Sequence, residues 1–338
     1  MNPQLIESYK KSADRALNWF LQQLKDDGSY GSAVNDLACY YKSPYLFYIS
    51  GRMEEAQRVL NHIRQTFMQA NGDFKTSVDI KSANGAFGEY WAYTNGWITL
   101  AAQKMGCFDI AYPAYRYLKL FHHPKNGGFT TRHPYAESNN IVDVFTTAHL
   151  GLISLYFGEI ETAQGAGSLL QKFIAIQPEL SSGFYLRMND SGHLVTEYSG
   201  DAALFHKVSS LEPDQAYFMI GYPIAFLGKL YMAGGTSEYL DTAVRYLDFA
   251  MGCHSSIRAF HFSHKVAWGA AIVAGLTKEA KYTDFAESIV DYLLSIQDAS
   301  GAWLKSEPAH TSFDQTAEIA IWLREIDGIP FKLFTTNE

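Results

Sequence analysis

Apolar residues recur at three- and four-residue spacing in six segments of the chain, at about 3–25, 52–70, 107–123, 158–176, 236–252 and 278–297. In the last segment, Phe285, Ile289 and Leu293 mark one apolar face, with polar residues on the other side. This period is that of an amphipathic helix whose one face lies on a core. The pattern therefore predicts six helices that are each buried on one side.

Six further segments alternate with these and are apolar on nearly all sides. They cover about 34–49, 89–105, 140–156, 214–232, 262–275 and 313–325, and they are rich in alanine and glycine, as in the run from Trp268 to Gly275. A helix that is apolar all round is a buried one. The alternation predicts six outer and six inner helices.

A glycine followed closely by an aromatic residue comes after most of the outer segments. The copies are Gly28–Tyr30, Gly72–Phe74, Gly127–Phe129, Gly183–Phe184 and Gly301–Trp303, with a degenerate sixth at Ala259–Phe260. A unit that recurs about every 55 residues indicates a repeat architecture. An open solenoid would need polar capping repeats, whereas the last inner segment here is as apolar as the middle ones. We predict an all-α fold, an (α/α)6 toroid of six helical hairpins that forms a single domain over residues 1–338.

The last repeat carries the most specific motif. Tyr292-Leu293-x3-Gln297-x3-Gly301-x-Trp303 resembles the QW repeat of the squalene–hopene and oxidosqualene cyclases, whose toroid is similar to that of the protein prenyltransferases. The resemblance implies that Gln297 and Trp303 tie the end of an outer helix to the next turn. It supports the fold more strongly than the reaction, because one fold hosts many functions.

A second, shorter resemblance concerns the segment from Ser312 to Ala317. It is similar to the Asp-x-Asp-Asp-Thr-Ala acid motif of class II terpenoid cyclases, which implies that Asp314 protonates an alkene or an epoxide. Ser312 and Gln315 stand where that family has its flanking carboxylates. The alternative is that Ser312 or Asp314 only caps a helix that begins there.

Composition excludes several partners. The net charge is −8 and the chain has no run rich in lysine or arginine, so neither nucleic acid nor an anionic membrane is an expected partner. Three cysteines do not make a disulfide framework, no stretch approaches the length of a membrane span, and the N-terminal residues lack the apolar segment of a signal peptide. We expect a cytoplasmic protein that acts on a small molecule, and its oligomeric state stays open.

No metal or other cofactor is predicted. The chain has no Asp-Asp-x-x-Asp run to hold magnesium and a diphosphate. Cys253 and His254 resemble the adjacent zinc ligands of lanthionine cyclases, but the other cysteines lack the context of that family.

Polar residues at the starts of the inner segments form the candidate site, because those starts meet at one mouth of the ring. Asp36 and Tyr40 are expected to share a helix face at i,i+4, while Lys42 is not. The loops 129–139 and 178–212 are expected to overhang the mouth, with a β-hairpin over 184–197. The predicted catalytic residues are Asp314, His261, His264 and Asp36, and the predicted substrate-binding residues are Tyr40, Glu89, Tyr90, Tyr93, Asp143, Asp214, Tyr217, Trp268, Glu318 and His133.

Three functions remain open at this point. The leading hypothesis is a metal-independent cyclase or isomerase acting on an apolar, terpenoid-like molecule in an aromatic-lined cavity. The first alternative is a carbohydrate-active toroid, such as a sugar epimerase, a glycoside hydrolase or a lyase, which predicts convergent carboxylates. The second is a non-catalytic binding module, which predicts that no carboxylate or histidine at the mouth has a perturbed pKa.

Overall fold

The computed structural model of the chain describes residues 3–31 and 35–329, which form two concentric layers of helices. The outer helices are α1 (Pro3–Leu21), α3 (Met53–Phe67), α6 (Phe108–Lys119), α8 (Ile160–Ala175), α11 (Ser237–Met251) and α13 (Ala280–Ser295). The inner helices are α2 (Ser43–Ile49), α5 (Trp91–Lys104), α7 (Val144–Tyr156), α10 (Phe218–Gly234), α12 (His264–Thr277) and α14 (Ala309–Asp327).

The inner helices close a ring. Each of α2, α5, α7, α10, α12 and α14 packs on the next one, and α14 returns to pack on α2. The outer helix α1 packs on α14, so the two ends of the described chain form one helical pair. The predicted (α/α)6 toroid is confirmed.

Burial follows the predicted division between the two layers. In α3 the buried apolar residues include Val59, Leu60 and Ile63, which lie on one face, whereas in α7 every residue from Val144 to Ser154 is buried. The difference arises because an outer helix has one face in water, while an inner helix is surrounded by its outer partner, two inner neighbours and the ring interior.

Four of the repeated glycines, Gly28, Gly72, Gly127 and Gly301, allow their turns to approach the next outer helix closely. Gly28 and Gly301 have φ values of 83° and 97°, and a Cβ built on them would lie 2.2 and 2.3 Å from the backbone carbonyl oxygens of Arg58 and Arg15. Only glycine combines this backbone conformation with so short a distance. The aromatic residue that follows, Tyr30 or Trp303 in these two turns, is buried.

The QW-like motif closes the outer layer. Gln297 Nε2 donates to the carbonyl oxygens of Ser12 and Gly301 at 2.9 and 2.8 Å, and Trp303 Nε1 donates to the carbonyl oxygen of Leu293 at 2.7 Å. The first bond crosses from the end of α13 to α1. The contacts that the resemblance implies are therefore present.

Short strands and single-turn helices lie at the mouth where the inner helices begin. Strand β1 (Ile141–Asp143) pairs antiparallel with β3 (Arg187–Asn189), and β2 (Gly183–Tyr185) pairs antiparallel with β4 (Lys207–Ser209). Of the predicted hairpin over 184–197, the structure has a turn at 189–193 and one bridge between Met188 and Leu194, while β3 pairs with β1 and β2 pairs with β4. Two single-turn helices, α4 (Ala86–Glu89) and α9 (Ala203–His206), lie in the same loops.

The predicted inner helix over 34–49 begins later than expected. Asp36 Oδ1 accepts a hydrogen bond from the Ala38 backbone N–H at 2.9 Å and caps a 3-10 turn over Leu37–Cys39. The α-helix begins only at Ser43, with Pro44 in its first turn. Residues 36–42 therefore do not form an α-helix, and the expected i,i+4 face of Asp36 and Tyr40 does not exist.

Among the described residues, no helix is both long enough and apolar enough to cross a membrane.

Candidate active site

A carboxylate stands at the centre of the ring, surrounded by cations. Glu318 of α14 is 1% exposed, and its Oε2 lies 2.5 Å from Lys42 Nζ and 3.3 Å from His264 Nε2. Its Oε1 lies 2.6 Å from Lys265 Nζ and accepts a hydrogen bond from the Tyr93 hydroxyl at 2.9 Å. One buried carboxylate thus collects two ammonium groups, an imidazole and a phenol.

A second carboxylate lies one helical turn earlier. Asp314 Oδ1 accepts hydrogen bonds from Lys42 Nζ at 2.7 Å and from the Tyr41 hydroxyl, and its Oδ2 accepts from Gln315 Nε2 at 2.9 Å. Lys42 therefore joins the two carboxylates. We call Tyr41, Lys42, Tyr93, His264, Lys265, Asp314 and Glu318 the Glu318 cluster.

The charges in this cluster balance. Two lysines face two carboxylates, and His264 is neutral because burial and the adjacent Lys265 lower its pKa. Burying an ion without a partner would cost several kcal/mol of folding free energy. Each charge in the network therefore stabilises the burial of the opposite charges next to it. The two phenols stay protonated and donate, because burial and the adjacent carboxylates raise the pKa of Tyr41 and Tyr93 well above the ordinary value.

The pKa values in the cluster are displaced by burial and by its own charges. Burial alone would raise the pKa of Glu318, but Lys265, Lys42 and His264 outweigh it and hold that pKa well below the usual value. Burial, together with the charge of Lys42, lowers the pKa of Lys265 to about 8, although Glu318 opposes the shift. Burial and the adjacent Lys265 also lower the pKa of His264. At neutral pH the cluster thus contains an ionised carboxylate, a neutral imidazole and a lysine that is a ready proton donor.

The hydrogen bonds of His264 fix its tautomer. Its Nδ1 lies 2.6 Å from the carbonyl oxygen of His261, which can only accept, so Nδ1 carries the proton. The lone pair of Nε2 then faces the cluster and accepts from Lys265 Nζ at 3.2 Å. A proton taken up by Nε2 would turn the 3.3 Å contact with Glu318 into a charge-assisted hydrogen bond. This is the arrangement of a general base whose charged form is stabilised in advance.

Four of the inner-ring segments bring these side chains together. Lys42 directly precedes α2, Tyr93 lies in the first turn of α5, His264 and Lys265 begin α12, and Asp314 and Glu318 share a face of α14 at i,i+4. The rings of Phe145 at the start of α7 and Phe218 at the start of α10 lie 5.5 and 5.0 Å from Lys265 Nζ.

Aromatic residues also form the layer on the far side of the cluster. Trp97 and Tyr222 both contact the ring of Trp322, which stacks on Trp268 at 3.9 Å between ring centroids. His149 belongs to this layer, and its Nδ1 lies 2.7 Å from the Tyr222 hydroxyl. The cluster is therefore a buried group of polar side chains enclosed by aromatic rings.

Four of the residues predicted from the sequence belong to the cluster: Asp314, Glu318, His264 and Tyr93. Asp36 and Tyr40 lie elsewhere. Asp36 accepts hydrogen bonds from Ser82 Oγ and from the Ala83 N–H, and Tyr40 stacks on Tyr30 at 5.0 Å. Because the chain forms a 3-10 turn here, Lys42, which was expected to point away, reaches the ring centre together with Tyr41.

A second group of predicted residues lies at the mouth. Glu89 Oε2 accepts from Arg187 NH2 and from Arg132 Nε, each at 2.9 Å. The two arginines line a cleft of about 240 Å³ together with His133 and His206. The loops around 132 and 187 both contribute to it, as expected.

Asp143 and Tyr90 are buried near this cleft. Asp143 Oδ1 accepts from the Thr146 N–H and caps α7, while its Oδ2 has no hydrogen-bond partner in the described part of the chain. Burial raises the pKa of Asp143 to about 6, although Arg187 opposes the shift. The Tyr90 hydroxyl lies 3.4 Å from Met219 Sδ.

The remaining predicted residues do not reach the cluster. Asp214 is exposed, and the Tyr217 hydroxyl lies 3.1 Å from Ser256 Oγ. His261 packs against Phe262 with ring centroids 4.2 Å apart, and burial lowers its pKa to about 4. Trp268 lies one helical turn beyond His264 and lines a different cavity at the opposite end of the ring.

Three members of the cluster, Tyr41, Lys42 and Lys265, are not among the site residues predicted from the sequence. The available signal was a lysine inside a strongly apolar or aromatic stretch, since a buried ammonium group requires a carboxylate partner. As for metals, no group of three or more histidine, cysteine or carboxylate side chains that could hold an ion occurs in residues 3–31 and 35–329. The Cys253 Sγ instead donates to the carbonyl oxygen of Phe249.

No protein-family model and no curated protein matches the sequence. Solved structures do match the fold. A D-mannose isomerase is 12% identical with a TM-score of 0.74, and the match covers 96% of this chain and 97% of that one. A cellobiose 2-epimerase from Bacillus thermoamylovorans is 10% identical with a TM-score of 0.65, covering 96% and 99%. The type II terpene cyclase MstE from Scytonema is 13% identical with a TM-score of 0.59, covering 97% and 100%.

At these identities the likeness concerns the fold. The toroid of this chain is shared by sugar isomerases and epimerases as well as by a terpene cyclase, so the terpenoid cyclases are one of several enzyme classes that it resembles.

Proposed function

We propose that the protein is an isomerase or epimerase that moves a proton on the carbon next to the carbonyl group of a reducing sugar, with the Glu318 cluster as its active site. The observation that carries this proposal is the position of His264, whose Nδ1 faces a carbonyl oxygen and whose Nε2 lies between Lys265 and Glu318. A base, a proton donor and a stabilising carboxylate within hydrogen-bond reach of one another are the equipment of enolisation.

In the proposed reaction, His264 Nε2 removes the proton from C2 of the open-chain aldose. The C–H electron pair forms the C1–C2 double bond and the carbonyl oxygen gains the negative charge of an enediolate. The ammonium groups of Lys42 and Lys265 stabilise that charge, and Glu318 stabilises the imidazolium. Return of the proton to C1, together with transfer of the O2 hydroxyl proton to O1, gives the ketose; return of the proton to the other face of C2 gives the epimer.

The comparisons support this choice without deciding it. Two of the similar structures are an enzyme that isomerises D-mannose and one that epimerises cellobiose at C2. The cluster also has the convergent carboxylates that the carbohydrate alternative predicts. The perturbed pKa values of His264, Lys265 and Glu318 are those that the binding-module alternative does not predict.

Terpenoid cyclisation is the second candidate. The aromatic layer of Trp97, Tyr222 and Trp322 favours it, because such rings stabilise carbocations. It ranks lower because Asp314 accepts hydrogen bonds from Lys42 and Tyr41, which are the contacts of an ionised acceptor and not of a proton donor.

The proposal requires a route to the buried cluster. The single-turn helix α9 overhangs the mouth with no buried residue, and its Phe205 contacts the ring of Tyr90 and the guanidinium of Arg187. Displacement of this segment would let a substrate enter past the mouth cleft, as lid loops do in many enzymes.

The test is conversion of D-mannose, D-fructose and cellobiose, each followed by ¹³C NMR. We expect one of these sugars to reach an equilibrium with its isomer or epimer. His264→Gln should slow the conversion at least about 100-fold, the low end of what a general base contributes. His261→Gln is the matched control, since that imidazole lies outside the cluster, and it should keep near-normal activity.

Two results would contradict the proposal: conversion of none of the sugars, or full activity of His264→Gln. Cyclisation of a linear polyprene by the wild type, detected by gas chromatography with mass spectrometry, would favour the second candidate.

A further inference from the structure

A cavity of about 720 Å³ opens at the end of the ring opposite the Glu318 cluster, where the inner helices end. Its walls come from the last turns of α2, α7, α10, α12 and α14, and they are mainly aliphatic. The aliphatic lining includes Ile49, Leu155, Met232, Ile272, Leu276 and Ile329. A volume of this size lies within the range of roughly 300–1,000 Å³ that small-molecule sites have.

One wall carries a small polar group. Lys229 Nζ lies 2.9 Å from Glu325 Oε2 and donates to the Tyr156 hydroxyl at 3.0 Å, while the Tyr45 hydroxyl donates to Glu325 Oε1 at 2.8 Å. Lys104 does not line the cavity itself, but its Nζ lies 4.2 Å from the centroid of the Tyr156 ring, which does. Among the described residues Lys104 has no carboxylate within ion-pair distance, so two ammonium groups face one carboxylate here.

The electrostatics of Lys104 agree with this excess of positive charge. Burial lowers the pKa of Lys104, and the positive charge of Lys229 lowers it further. Arg324, which also lines the cavity, pairs with Asp14. The rim around Tyr156 therefore favours a negatively charged group.

The floor of the cavity connects it with the Glu318 cluster. Trp268 lines the cavity, is 1% exposed, and its Nε1 has no hydrogen-bond partner within the described residues. It lies one helical turn beyond His264, and its stacking partner Trp322 lies one turn beyond Glu318. A molecule in the cavity would thus contact the same two helices that carry the base and the carboxylate.

We infer that this cavity is a second binding site, distinct from the Glu318 cluster, for an amphipathic anion with an apolar body and one carboxylate or sulfonate. The apolar body lies against the aliphatic walls and Trp268, and the head group lies beside Lys229 and Tyr156, within the field of Lys104. Such a molecule matches the lining, because the molecule has one polar end and the cavity has one polar wall.

The test uses two fluorescent probes of nearly the same shape, 1-anilinonaphthalene-8-sulfonate and the uncharged N-phenyl-1-naphthylamine. On the folded full-length protein we expect saturable binding of both at one site, and displacement of both by decanoate. Ala233→Trp should weaken both probes at least about tenfold, because Ala233 is exposed, lines the cavity and can be enlarged without disturbing the core. Ala175→Trp, at an exposed position of the outer helix α8, is the matched control and should bind like the wild type.

The head-group assignment has its own variant. Lys104→Gln should weaken the sulfonate probe about 3- to 10-fold and leave the uncharged probe unchanged, the range expected for losing one partly screened charge contact. Absence of saturable binding, or equal binding by Ala233→Trp, would overturn the site. Equal loss of both probes in Lys104→Gln would overturn the anionic head group.

The chain itself offers one competing occupant, since residues 330–338 follow directly on Ile329 and include Phe331 and Phe334. Probe binding that appears only in the Phe331→Ser/Phe334→Ser double variant would assign the cavity to this segment and overturn the proposal. Each readout is binding alone, so the outcome does not depend on whether the protein isomerises sugars.

Discussion

Glu318→Gln is the substitution that most directly perturbs the central network. It preserves the size of the side chain and removes its charge, so that Asp314 alone must balance Lys42 and Lys265. Breaking a buried ion pair by neutralising one partner costs about 3–5 kcal/mol. We expect a loss of this size in the free energy of unfolding near pH 6.5.

The cost should depend on pH through Lys265. Glu318 raises the pKa of this lysine, which is about 8 in the folded wild type, so in the variant the pKa falls further below the unfolded-state value. Between the folded-state and the unfolded-state pKa of Lys265, the unfolded chain carries this proton and the folded chain does not. Stability therefore rises with pH across that range, by about 1.4 kcal/mol per pH unit. In the variant this rise begins below pH 8, whereas in the wild type it begins at about 8. The deficit of the variant should therefore shrink between pH 6.5 and 8.5.

The assay is urea unfolding at both pH values, followed by tryptophan fluorescence and by far-UV circular dichroism. Glu318→Gln/Lys265→Met restores one carboxylate to one lysine and should recover at least half of the loss. Glu161→Gln, at an exposed position of α8, should change stability by less than about 0.5 kcal/mol. A cost below about 1 kcal/mol, a deficit that does not change with pH, or a double variant as unstable as the single one would refute the reasoning.

Four further predictions follow from the same contacts. Isomerase activity should fall as the pH rises through about 8, when Lys265 loses its proton, and a pH–rate profile checks this. Burial lowers the pKa of His149 in the folded protein to about 3, so between that pH and about 6.5 only the unfolded chain protonates this imidazole, and stability is lost as the pH falls through this range. His149→Gln should abolish about 2–3 kcal/mol of that loss at pH 4.5 in acid titrations. Gly301→Ala should cost more than about 3 kcal/mol in urea unfolding, against about 1–2 for Gly51→Ala, whose φ is also positive but whose Cβ would meet open space. Gln297→Ala should cost about 1–3 kcal/mol, measured as a shift of the urea midpoint, because it removes the hydrogen bonds of Gln297 with Ser12 and Gly301 that join the end of α13 to α1.

The architecture could be predicted because the spacing of apolar residues within each segment already indicates whether its helix is outer or inner. Outer helices such as α13 repeat their apolar residues on one face, and inner helices such as α7 are apolar all round, so each helix reveals its layer without knowledge of its neighbours. The closed ring could be predicted because the last inner segment is as apolar as the middle ones, and in the structure Gln297 and Gly301 contact α1 across the closure.

The site was only partly predictable because its members converge through the curvature of the ring. Asp314, Glu318, His264 and Tyr93 were expected at the mouth, but nothing local distinguishes them from Asp36 or Asp143, which cap helices with similar residue types.

Lys42 shows the limit most clearly. A helix over 34–49 would direct it away from Asp36 and Tyr40, and the 3-10 turn capped by Asp36 turns it to the ring centre instead. Such a turn depends on Ser82 and Ala83, which fix the Asp36 carboxylate from a distant part of the chain. Tertiary contacts of this kind override local propensity.

The most direct test of the central claim is deuterium incorporation at C2 of a sugar incubated with the protein in D₂O. Proton transfer by His264 exchanges the abstracted proton with solvent, so ¹H NMR of the recovered sugar should show loss of the C2–H signal with the wild type and none with His264→Gln. Turnover of a sugar in which C2 keeps its proton, or exchange that persists in His264→Gln, would contradict the claim that the Glu318 cluster is a proton-transfer site.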